Sequence, residues 1–580
     1  MTMKTCFTTQ KPSQTGSALM LVMIMSAIAL AILAGVMTWA ATSNRLTHRS
    51  IQYNRSVAAA EAATEKVESQ ITRDFLAGGE QLVTQNLDVY RKNTVPTSSD
   101  SSYWSTWVFD DGNGNLNQTY VQLTSQTNSV ALDPPYTGLK GFGSTYTVVS
   151  HASDTASIQD VNAGVLQQLQ LVHIPVFQFG MFSSGDMEIS CGQAFDVTGH
   201  VHSNGILYIE PDSSLTFESG VTAVVTNVFQ RDIVDGDTRG TPAGTVVYVH
   251  PEEKVSPVQA LTLPIGTTNT PEAIREIIEP PPLGGDTNQA TAKLRYYNQC
   301  DLRLFVSDAG FSANSGSFNI PASSTNDLAL FVTITNHFTD NREDKIVMPI
   351  DIDIGGLAAW SATNSSLRGV LLGSNLSSIY IVDNRTPLTL PSSNLGAVRV
   401  KNGLTLPANG LTVATGRPLY VWGDYNTDAA TKGTANTSTT HPASLAADAI
   451  TILSDDWQDT YGTSVHVAAA TTVNAALLTG VVPTSPGHYS GGMENFPRFL
   501  ETWTGIPFTY NGSMVKMFPS LYATNFWGGS YYAPPVRNWA YDANFDDPTK
   551  LPPKTPSFLQ VKRHQWATVP AGTNAVAATP

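Results

Sequence analysis

The sequence predicts a mainly β protein, in which a long N-terminal transmembrane α-helix is followed by an exported body resembling a β-solenoid, or β-helix. Three observations support this fold class. Residues 17–41 form an uncharged, strongly apolar run. Only 14% of the 580 residues are charged, while Gly, Ser, Thr, Asn and Pro are abundant, a balance that suits strands and turns. Short apolar strands recur at close intervals in 177–225 and 367–426.

The apolar run near the N-terminus is long enough to cross a membrane as a helix. Residues 17–41 would span roughly 37 Å at 1.5 Å per residue, more than the hydrocarbon core of a bilayer. A secretory signal peptide has a shorter apolar core, about 7 to 15 residues, and then changes character. Here apolar residues continue at helical spacing to about Phe75, where Gly78 and Gly79 favour a helix end. We therefore expect one helix over 17–76.

A short basic leader ending in Gly16 precedes this helix. The segments TGSALMLVMIMSAIALAILAG at 15–35 and VAAAEAATEKVES at 57–69 resemble type IV pilins and pseudopilins, and specifically the PilX-type minor pilins. The resemblance implies that a prepilin peptidase removes the leader 1–16 by cutting between Gly16 and Ser17. It also implies a single pass through the inner membrane, an exported C-terminal body, and other pilin or pseudopilin subunits as partners.

One position departs from the pattern of the major pilins. The major pilins have a glutamate at the fifth position of the mature chain. A chain that resembles them and begins at Ser17 has Leu21 there instead. A carboxylate in a bilayer is costly unless it finds a partner, so a subunit without it inserts easily but loses an electrostatic docking point. Because PilX-type proteins also lack this acid, Leu21 favours a minor or tip subunit.

Beyond the helix we expect three regions. Residues 77–175 predict a β-rich linking domain, 176–430 a β-solenoid-like domain, and 431–580 a C-terminal β-rich, aromatic-rich cap. Strands of three or four residues cannot bury their faces alone, but stacked coils cover one another. A twisted sandwich of meandering strands is the alternative. The C-terminal aromatic residues suit a cap, and they would also suit carbohydrate or protein contact.

The segment GHVHSNG at 199–205 also resembles uncharacterised bacterial pilin-like surface proteins with solenoid bodies. His200 and His202 would point the same way on one strand, and such a pair can hold a metal with help from Asp196 or His173. The other interpretation is structural: 203–205, with the sequence Ser-Asn-Gly, would form a corner through side-chain hydrogen bonds and a permissive glycine φ.

A second candidate cation site lies in the turn between two apolar runs. Asp111, Asn113 and Asn115 occupy alternate positions, as at the start of a calcium loop. However, Leu116 stands where such a loop needs glycine, and no glutamate follows at the twelfth position. The pattern therefore favours a hairpin turn.

Two acidic groups are candidates for chemistry. Glu494, Arg498 and Glu501 would share one face of a short helix, where paired carboxylates suggest glycoside chemistry. Pro497 shortens that helix, and an arginine between two acids more often forms a salt bridge. The acidic run at 455–459 is a candidate cation site, although loops of this composition are usually solvated.

The chain has three cysteines, Cys6, Cys191 and Cys300, and no CxxC pair. In an exported protein Cys191 and Cys300 can form a disulfide, whereas two buried free thiols are the alternative.

Function follows mainly from the helix. The formal charge of -15, with no cluster of Lys and Arg, excludes a nucleic-acid partner. We find no nucleophile, metalloprotease or nucleotide-binding motif, so we expect no enzyme and no cofactor. The leading hypothesis is a structural minor pilin or pseudopilin of a type IV pilus or type II secretion-like system, acting in filament assembly or adhesion at the cell surface. The alternatives are a single-span membrane-anchored surface protein without filament assembly, and a membrane-anchored polysaccharide hydrolase or lyase.

Overall fold

The computed structural model describes residues 15–132, 134–228, 242–321, 326–334, 336–386, 393–460, 465–486, 488–526 and 531–573. Most of the predicted leader, including Cys6, lies outside these residues. The fold is mainly β with one long N-terminal apolar helix, which confirms the broad prediction.

The α-helices are one very long element and several short ones, in chain order α1 Thr15–Gln85, α2 Leu87–Asn93, α3 Pro271–Arg275, α4 Gln289–Leu294, α5 Tyr296–Gln299, α6 Ile354–Thr363 and α7 Ser365–Val370. The 3-10 turns are Ser102–Thr106, Val176–Gln178, Pro251–Glu253, Asn326–Leu330, Met493–Asn495, Ala543–Asp546 and Pro548–Lys550.

The strands vary from long ones near both ends of the chain to short ones between them. In chain order they are β1 Trp107–Asp110, β2 Tyr120–Ala131, β3 Lys140–Asp154, β4 Ala163–Pro175, β5 Phe179–Ser183, β6 Met187–Ile189, β7 Phe195–Val197, β8 His200–Ser203, β9 Ile206–Ile209, β10 Ser214–Phe217, β11 Val221–Ala223, β12 Thr226–Val228, β13 Thr245–Tyr248, β14 Lys254–Val255, β15 Leu302–Ser307, β16 Gly310–Ser315, β17 Phe318–Asn319, β18 Val332–Thr333, β19 Phe338–Asp340, β20 Lys345–Asp353, β21 Ser378–Asp383, β22 Asn394–Gly403, β23 Leu411–Ala414, β24 Leu419–Tyr425, β25 Ala443–Ala447, β26 Ile450–Leu453, β27 Thr471–Asn474, β28 Ala476–Val481, β29 Arg498–Phe499, β30 Pro507–Gly512, β31 Met514–Pro519, β32 Val536–Tyr541 and β33 Ser557–Val569.

Helix α1 changes its surroundings along its length. Its apolar N-terminal part is exposed, and the most apolar 18-residue window has a mean hydropathy of 2.7 and no buried residues. Further along, Val67, Ile71 and Phe75 are fully buried. The helix is broken at Gly79, where φ is 68°, a value that glycine adopts without steric cost. The break lies three residues past the predicted end at 76.

The second half of α1 packs on a five-stranded antiparallel sheet. Its strand order is β1-β3-β4-β33, and β2 pairs with β3. Leu169 and Leu171 of β4 and Leu559 of β33 share one core cluster with Phe75 of the helix. We call this unit the helix–sheet module.

The rest of the body is inserted between two neighbouring strands of this module. Strand β33 pairs antiparallel with β4, with Ser557 opposite Pro175 and Val569 opposite Gly164. Residues 176–556 form the intervening chain. The insertion begins at the end of the module near Phe75, whose ring lies 5.3 Å from that of His173 on β4. At 1.5 Å per residue, Phe75 is roughly 50 Å along the helix from residue 41, where the apolar run ends.

Strands β5 to β14 pair in parallel and fall in three sheets that the chain visits in turn. Within β5 to β12 successive strands pair at an offset of 20 residues: Met187 with Leu207, Val201 with Val221, and Ile206 with Thr226. The next pairs advance further, by 31 residues from β10 to β13 and by 33 from β11 to β14. Each such repeat therefore adds one short strand to each of the three sheets. The inward residues are apolar and fully buried, as Leu207 and Leu215 illustrate.

Strands β20 to β32 alternate mainly between a twelve-stranded and a ten-stranded sheet. The pairs Val413–Leu445 and Leu445–Leu477 each advance by 32 residues along parallel strands. The two sheets enclose the largest core cluster, to which both contribute aliphatic side chains.

Strand β5 joins the two stacks, because it pairs with β8 on one side and with β31 on the other. From β5 the chain adds β8, β11 and β14 towards one end of the twelve-stranded sheet. It then crosses through α3 to α5 to the other side of β5 and returns strand by strand from β15 to β31. Both large sheets continue through residue 430, so the boundary predicted there does not coincide with a sheet boundary.

Candidate functional site

The exposed part of α1 is the most distinctive surface of the protein. Leu21 is 65% exposed and Trp39 is 72% exposed. A continuous apolar surface of this length is far larger than the scattered apolar residues of an ordinary soluble surface. Its length and composition are those of a membrane anchor. Gly16 and Ser17, the predicted cleavage site, lie at the start of this helix, and their cleavage stays a prediction.

Polar contacts hold the other half of α1 to the sheet. Arg563 of β33 pairs with Glu65 and has its Nε 3.2 Å from Glu68 Oε2. Ser56 Oγ donates a hydrogen bond to the carbonyl of Val161 at 3.0 Å. The C-terminal strand therefore contributes both apolar and charged contacts to the helix–sheet module.

The carboxylate of the candidate calcium loop accepts its hydrogen bonds from residues of the same loop. Asp111 Oδ1 accepts hydrogen bonds from the backbone N–H groups of Asn113 and Asn115, at 2.9 and 3.0 Å. Asn115 Nδ2 donates to Asp111 Oδ2 at 2.9 Å. These bonds lower the pKa of Asp111, although burial opposes them. The residues form a turn, as the missing glycine and glutamate indicate.

The histidine pair is also structural. His202 is fully buried, bonded to Thr222 Oγ1 at 2.8 Å and to Asn204 Oδ1 at 2.9 Å, and burial lowers its pKa to about 4. His200 Nε2 donates to the carbonyl of Thr137 at 2.5 Å. Asp196 is exposed on β7, and these residues do not form a metal-holding group among the described side chains.

The corner after His202 forms as expected in part. Asn204 Nδ2 donates to the carbonyl of Leu261 at 2.8 Å, and Leu261 N donates back to Asn204 Oδ1 at 3.0 Å. Gly205 does not adopt a positive φ; it is needed because a Cβ would lie 2.1 Å from Asp186 Oδ1.

The predicted shared helical face of Glu494, Arg498 and Glu501 is wrong. Glu494 belongs to a 3-10 turn and Arg498 to strand β29, because the backbone becomes extended after Pro497. Ser190 N donates to both Glu494 oxygens at 3.0 and 3.1 Å. Glu501 instead accepts from Ser454 N and Oγ, at 2.7 Å each.

The acidic run at 455–459 pairs with basic side chains of the protein. Asp459 accepts from Arg399, and Lys432 Nζ lies 3.1 Å from Asp455 Oδ2. Among the residues that the structure describes, no group of three or more His, Cys, Asp or Glu side chains is arranged to hold a metal ion.

The two cysteines of the body are not joined. Both are free and buried. Cys191 belongs to the largest core cluster, whereas Cys300 packs in a separate cluster near Tyr296. Burial raises the pKa of each thiol to about 12. The alternative of two buried free thiols matches this arrangement.

The C-terminal aromatic residues mostly line the core. Trp503, Phe508 and Tyr510 are fully buried, and the ring centroids of Trp503 and Phe508 are 5.9 Å apart. Their packing joins the ten-stranded sheet to the largest core cluster.

A cleft that no sequence motif indicated opens beside the end of β28. We call it the Arg342 cleft; its volume is about 30 Å³, and its polar lining residues are Glu188, Arg342, Ser490, Asn495, Arg498 and Lys516. Behind it, Arg498 forms a salt bridge with the buried Glu343, which also accepts from the backbone N–H of Thr524 at 2.9 Å. No local signal marks these residues, since a charged run such as NREDK at 341–345 is ordinarily solvated.

Comparisons with known proteins are sparse. No protein-family model matches the chain, and no curated protein matches it. The structure is similar to the crystal structure of the competence-associated pilin ComZ from Thermus thermophilus, with 11% sequence identity, a TM-score of 0.28, and coverage of 90% of this chain and 97% of that chain. At that TM-score the likeness carries no functional argument, so function is argued from the chain's own features.

Proposed function

We propose that this chain is a structural minor pilin or pseudopilin of a type IV pilus or type II secretion-like system, acting in filament assembly or surface adhesion. The observation that carries the proposal is α1 itself, which is apolar and exposed in one half and packed on a sheet in the other. In water such a surface must be covered, and lipid before assembly or other apolar helices after assembly would cover it.

In this proposal the prepilin peptidase cuts between Gly16 and Ser17, and the mature helix passes once through the inner membrane with the body exported. The body leaves the helix–sheet module at the end far from the apolar run. A large insertion there would hinder further subunits from stacking above it, which favours a position at a filament tip. The absence of an acid at Leu21 agrees with a minor subunit.

We also propose that the body is a β-solenoid. The 20-residue offset that recurs between parallel partners in β5 to β12 supports this interpretation. The register predicts that Asp196→Cys and Thr216→Cys, neighbours on β7 and β10, cross-link on oxidation. Asp196→Cys with Ser214→Cys is the control, because a shift of two residues separates the Cα atoms by roughly 8 Å, too far for a disulfide. Equal cross-linking of both pairs would contradict the register.

The first test of the pilin proposal is the N-terminal mass of protein extracted from membranes, with and without a functional prepilin peptidase. We expect a chain starting at Ser17 only when the peptidase is present. Gly16→Leu should block processing, whereas Gly35→Leu, at a helical glycine with open space around it, should not. An intact N-terminus in cells with the peptidase would reduce the chain to an anchored surface protein.

A second experiment separates a filament subunit from a plain anchor. A photo-crosslinking residue at Ile32, in the exposed part of α1, should capture another pilin or pseudopilin. The same residue at Leu330, which is equally exposed on the body, is the control. Capture of lipid alone at Ile32 would favour the single-span anchor.

The proposal includes no catalytic turnover. Its support is that the two acids nominated from the sequence accept hydrogen bonds from separate parts of the backbone. The test is incubation of the protein with a panel of glycans. Product formation that Glu494→Gln abolishes would overturn this part of the proposal and favour a polysaccharide hydrolase or lyase.

A further inference from the structure

A large cavity opens beside α1 just past the apolar run. Its volume is about 600 Å³, and its walls include Leu46, Arg49, Ser50 and Tyr53 of α1 and Asp160 of the loop between β3 and β4. We call it the Arg49 cavity. Small-molecule sites have volumes of about 300–1,000 Å³. The cavity therefore has room for an organic ligand.

The cavity is at the end of the helix–sheet module that is nearest the apolar run. Strand β4 ends beside Phe75, whereas the start of β4 is beside Ser56, which donates to the carbonyl of Val161 at 3.0 Å. Leu46 is roughly 7.5 Å past residue 41 along the helix, at 1.5 Å per residue. The headgroup layer on each side of a bilayer is about 5–8 Å thick. When the apolar run spans the hydrocarbon core, the cavity is therefore level with the outer edge of the phospholipid headgroups.

Two side chains of opposite charge line this cavity without neutralising one another. Arg49 and Asp160 are both exposed. Among the residues that the structure describes, neither side chain forms an ion pair with the other or with a third group. The next arginine along the helix, Arg55, differs in this respect, because its Nη2 lies 3.7 Å from Asp154 Oδ2. The cavity thus offers one cation and one anion to a ligand.

A zwitterionic phospholipid headgroup matches this pair of charges. A guanidinium binds phosphate through charge-assisted hydrogen bonds, and a carboxylate accepts hydrogen bonds from a primary ammonium. Helical side chains lean towards the N-terminus of their helix, so Arg49 reaches towards the bilayer. Tyr53, which is 42% exposed, is of a residue type enriched at membrane interfaces. A purely anionic headgroup would be repelled by Asp160.

We propose that the Arg49 cavity binds a phospholipid whose headgroup contains a phosphate and a primary ammonium, as in phosphatidylethanolamine. Arg49 holds the phosphate and Asp160 holds the ammonium. The inference goes beyond the pilin role, because it requires only that α1 spans a bilayer. The contact would fix the depth of α1 in the membrane and the orientation of the body above it.

The test is native mass spectrometry of the full-length protein in detergent with three phospholipids that share the same acyl chains. We expect at least threefold more phosphatidylethanolamine bound per chain than phosphatidylcholine, whose ammonium has no N–H donor, or phosphatidylglycerol, which has no cation. Arg49→Gln and Asp160→Asn should each reduce binding of phosphatidylethanolamine at least threefold. Arg45→Gln is the matched control, because Arg45 is also exposed on α1 but does not line the cavity, and it should retain the binding.

A smaller preference among the three lipids would overturn the proposal, since it would indicate only the lipids that surround any membrane helix. An equal loss in Arg45→Gln and Arg49→Gln would also overturn it, because the effect would then be one of net charge. Phosphoethanolamine without acyl chains, added at the concentration of the lipid, should displace less than half of it. Greater displacement would assign the cavity to a soluble ligand.

A second experiment uses the protein in its own membrane. A photo-crosslinking residue at Tyr53 should capture phospholipid there. Capture of another protein chain without lipid would overturn the proposal and assign the cavity to a neighbouring subunit. The pilin proposal is judged separately by processing at Ser17, which lipid binding does not require.

Discussion

Glu494 gives the sharpest prediction of pH dependence. The carboxyl is 3% exposed, and burial raises its pKa to about 7, against an ordinary value of 4.5. Between these two values the folded chain holds a proton that the unfolded chain has released, so stability is fully present below 4.5 and declines as the pH rises towards 7. A difference of about 2.5 pKa units corresponds to roughly 3 kcal/mol at 1.36 kcal/mol per unit, as an upper bound.

The substitution Glu494→Gln removes this ionisation and keeps an oxygen that can accept the N–H of Ser190. The variant should therefore unfold at about the same temperature as the wild type at pH 4.5, and its melting temperature should exceed that of the wild type by a few degrees at pH 8.

The assay is intrinsic fluorescence during thermal unfolding at several pH values between 4.5 and 8, with the detergent-solubilised full-length protein. Glu218→Gln, which changes an exposed carboxyl, is the control and should follow the wild type at every pH. If the curves of melting temperature against pH are parallel for Glu494→Gln and the wild type, the reasoning about burial at this site is refuted.

Three further substitutions test the packing. Gly410→Ala should lower stability by about 2 kcal/mol or more in urea unfolding, because its Cβ would lie 2.0 Å from the carbonyl oxygen of Pro442; Gly433→Ala has a similar positive φ but open space, so an equal loss there would refute the steric argument. Arg399→Ala takes the guanidinium away from Asp351 and Asp459, although Lys401 Nζ stays 3.4 Å from Asp351 Oδ2, and should cost about 3 kcal/mol in the same assay; a loss below 1 kcal/mol would contradict a tightly bound guanidinium. Leu559→Ala should cost about 2–5 kcal/mol and speed amide exchange in the packed half of α1, and unchanged exchange there would contradict the role of β33.

The elements that depend on residues close together in the sequence could be predicted from it. The apolar run of α1 is a composition signal, and Gly79 ends the straight helix because its φ excludes most other residues. The short strands at 177–225 follow from alternating apolar residues and frequent turns. Pairing between distant segments leaves no such signal: nothing in 557–569 specifies that this strand pairs with β4 across the whole inserted body.

The candidate sites failed for a related reason. The pairing of Glu494 with Glu501 assumed helical spacing, but the chain is extended after Pro497 and the two acids point to different neighbours; Pro497 was the one local warning. The Arg342 cleft could not be predicted, because burial of that arginine depends on strands and loops distant in sequence.

The insertion point couples the anchor to the body. Strand β33 is the last of the described strands, yet it supplies Leu559 to the core beneath α1 and Arg563 to the acids of the same helix. The helix–sheet module is therefore complete only after the whole inserted body has emerged and β33 has returned to β4. A chain whose body is incomplete, so that β33 has not returned, would keep an apolar anchor but leave one edge of β4 unpaired. An open strand edge is prone to wrong pairing. In this topology the surface that would enter a filament forms together with the body that the filament would carry.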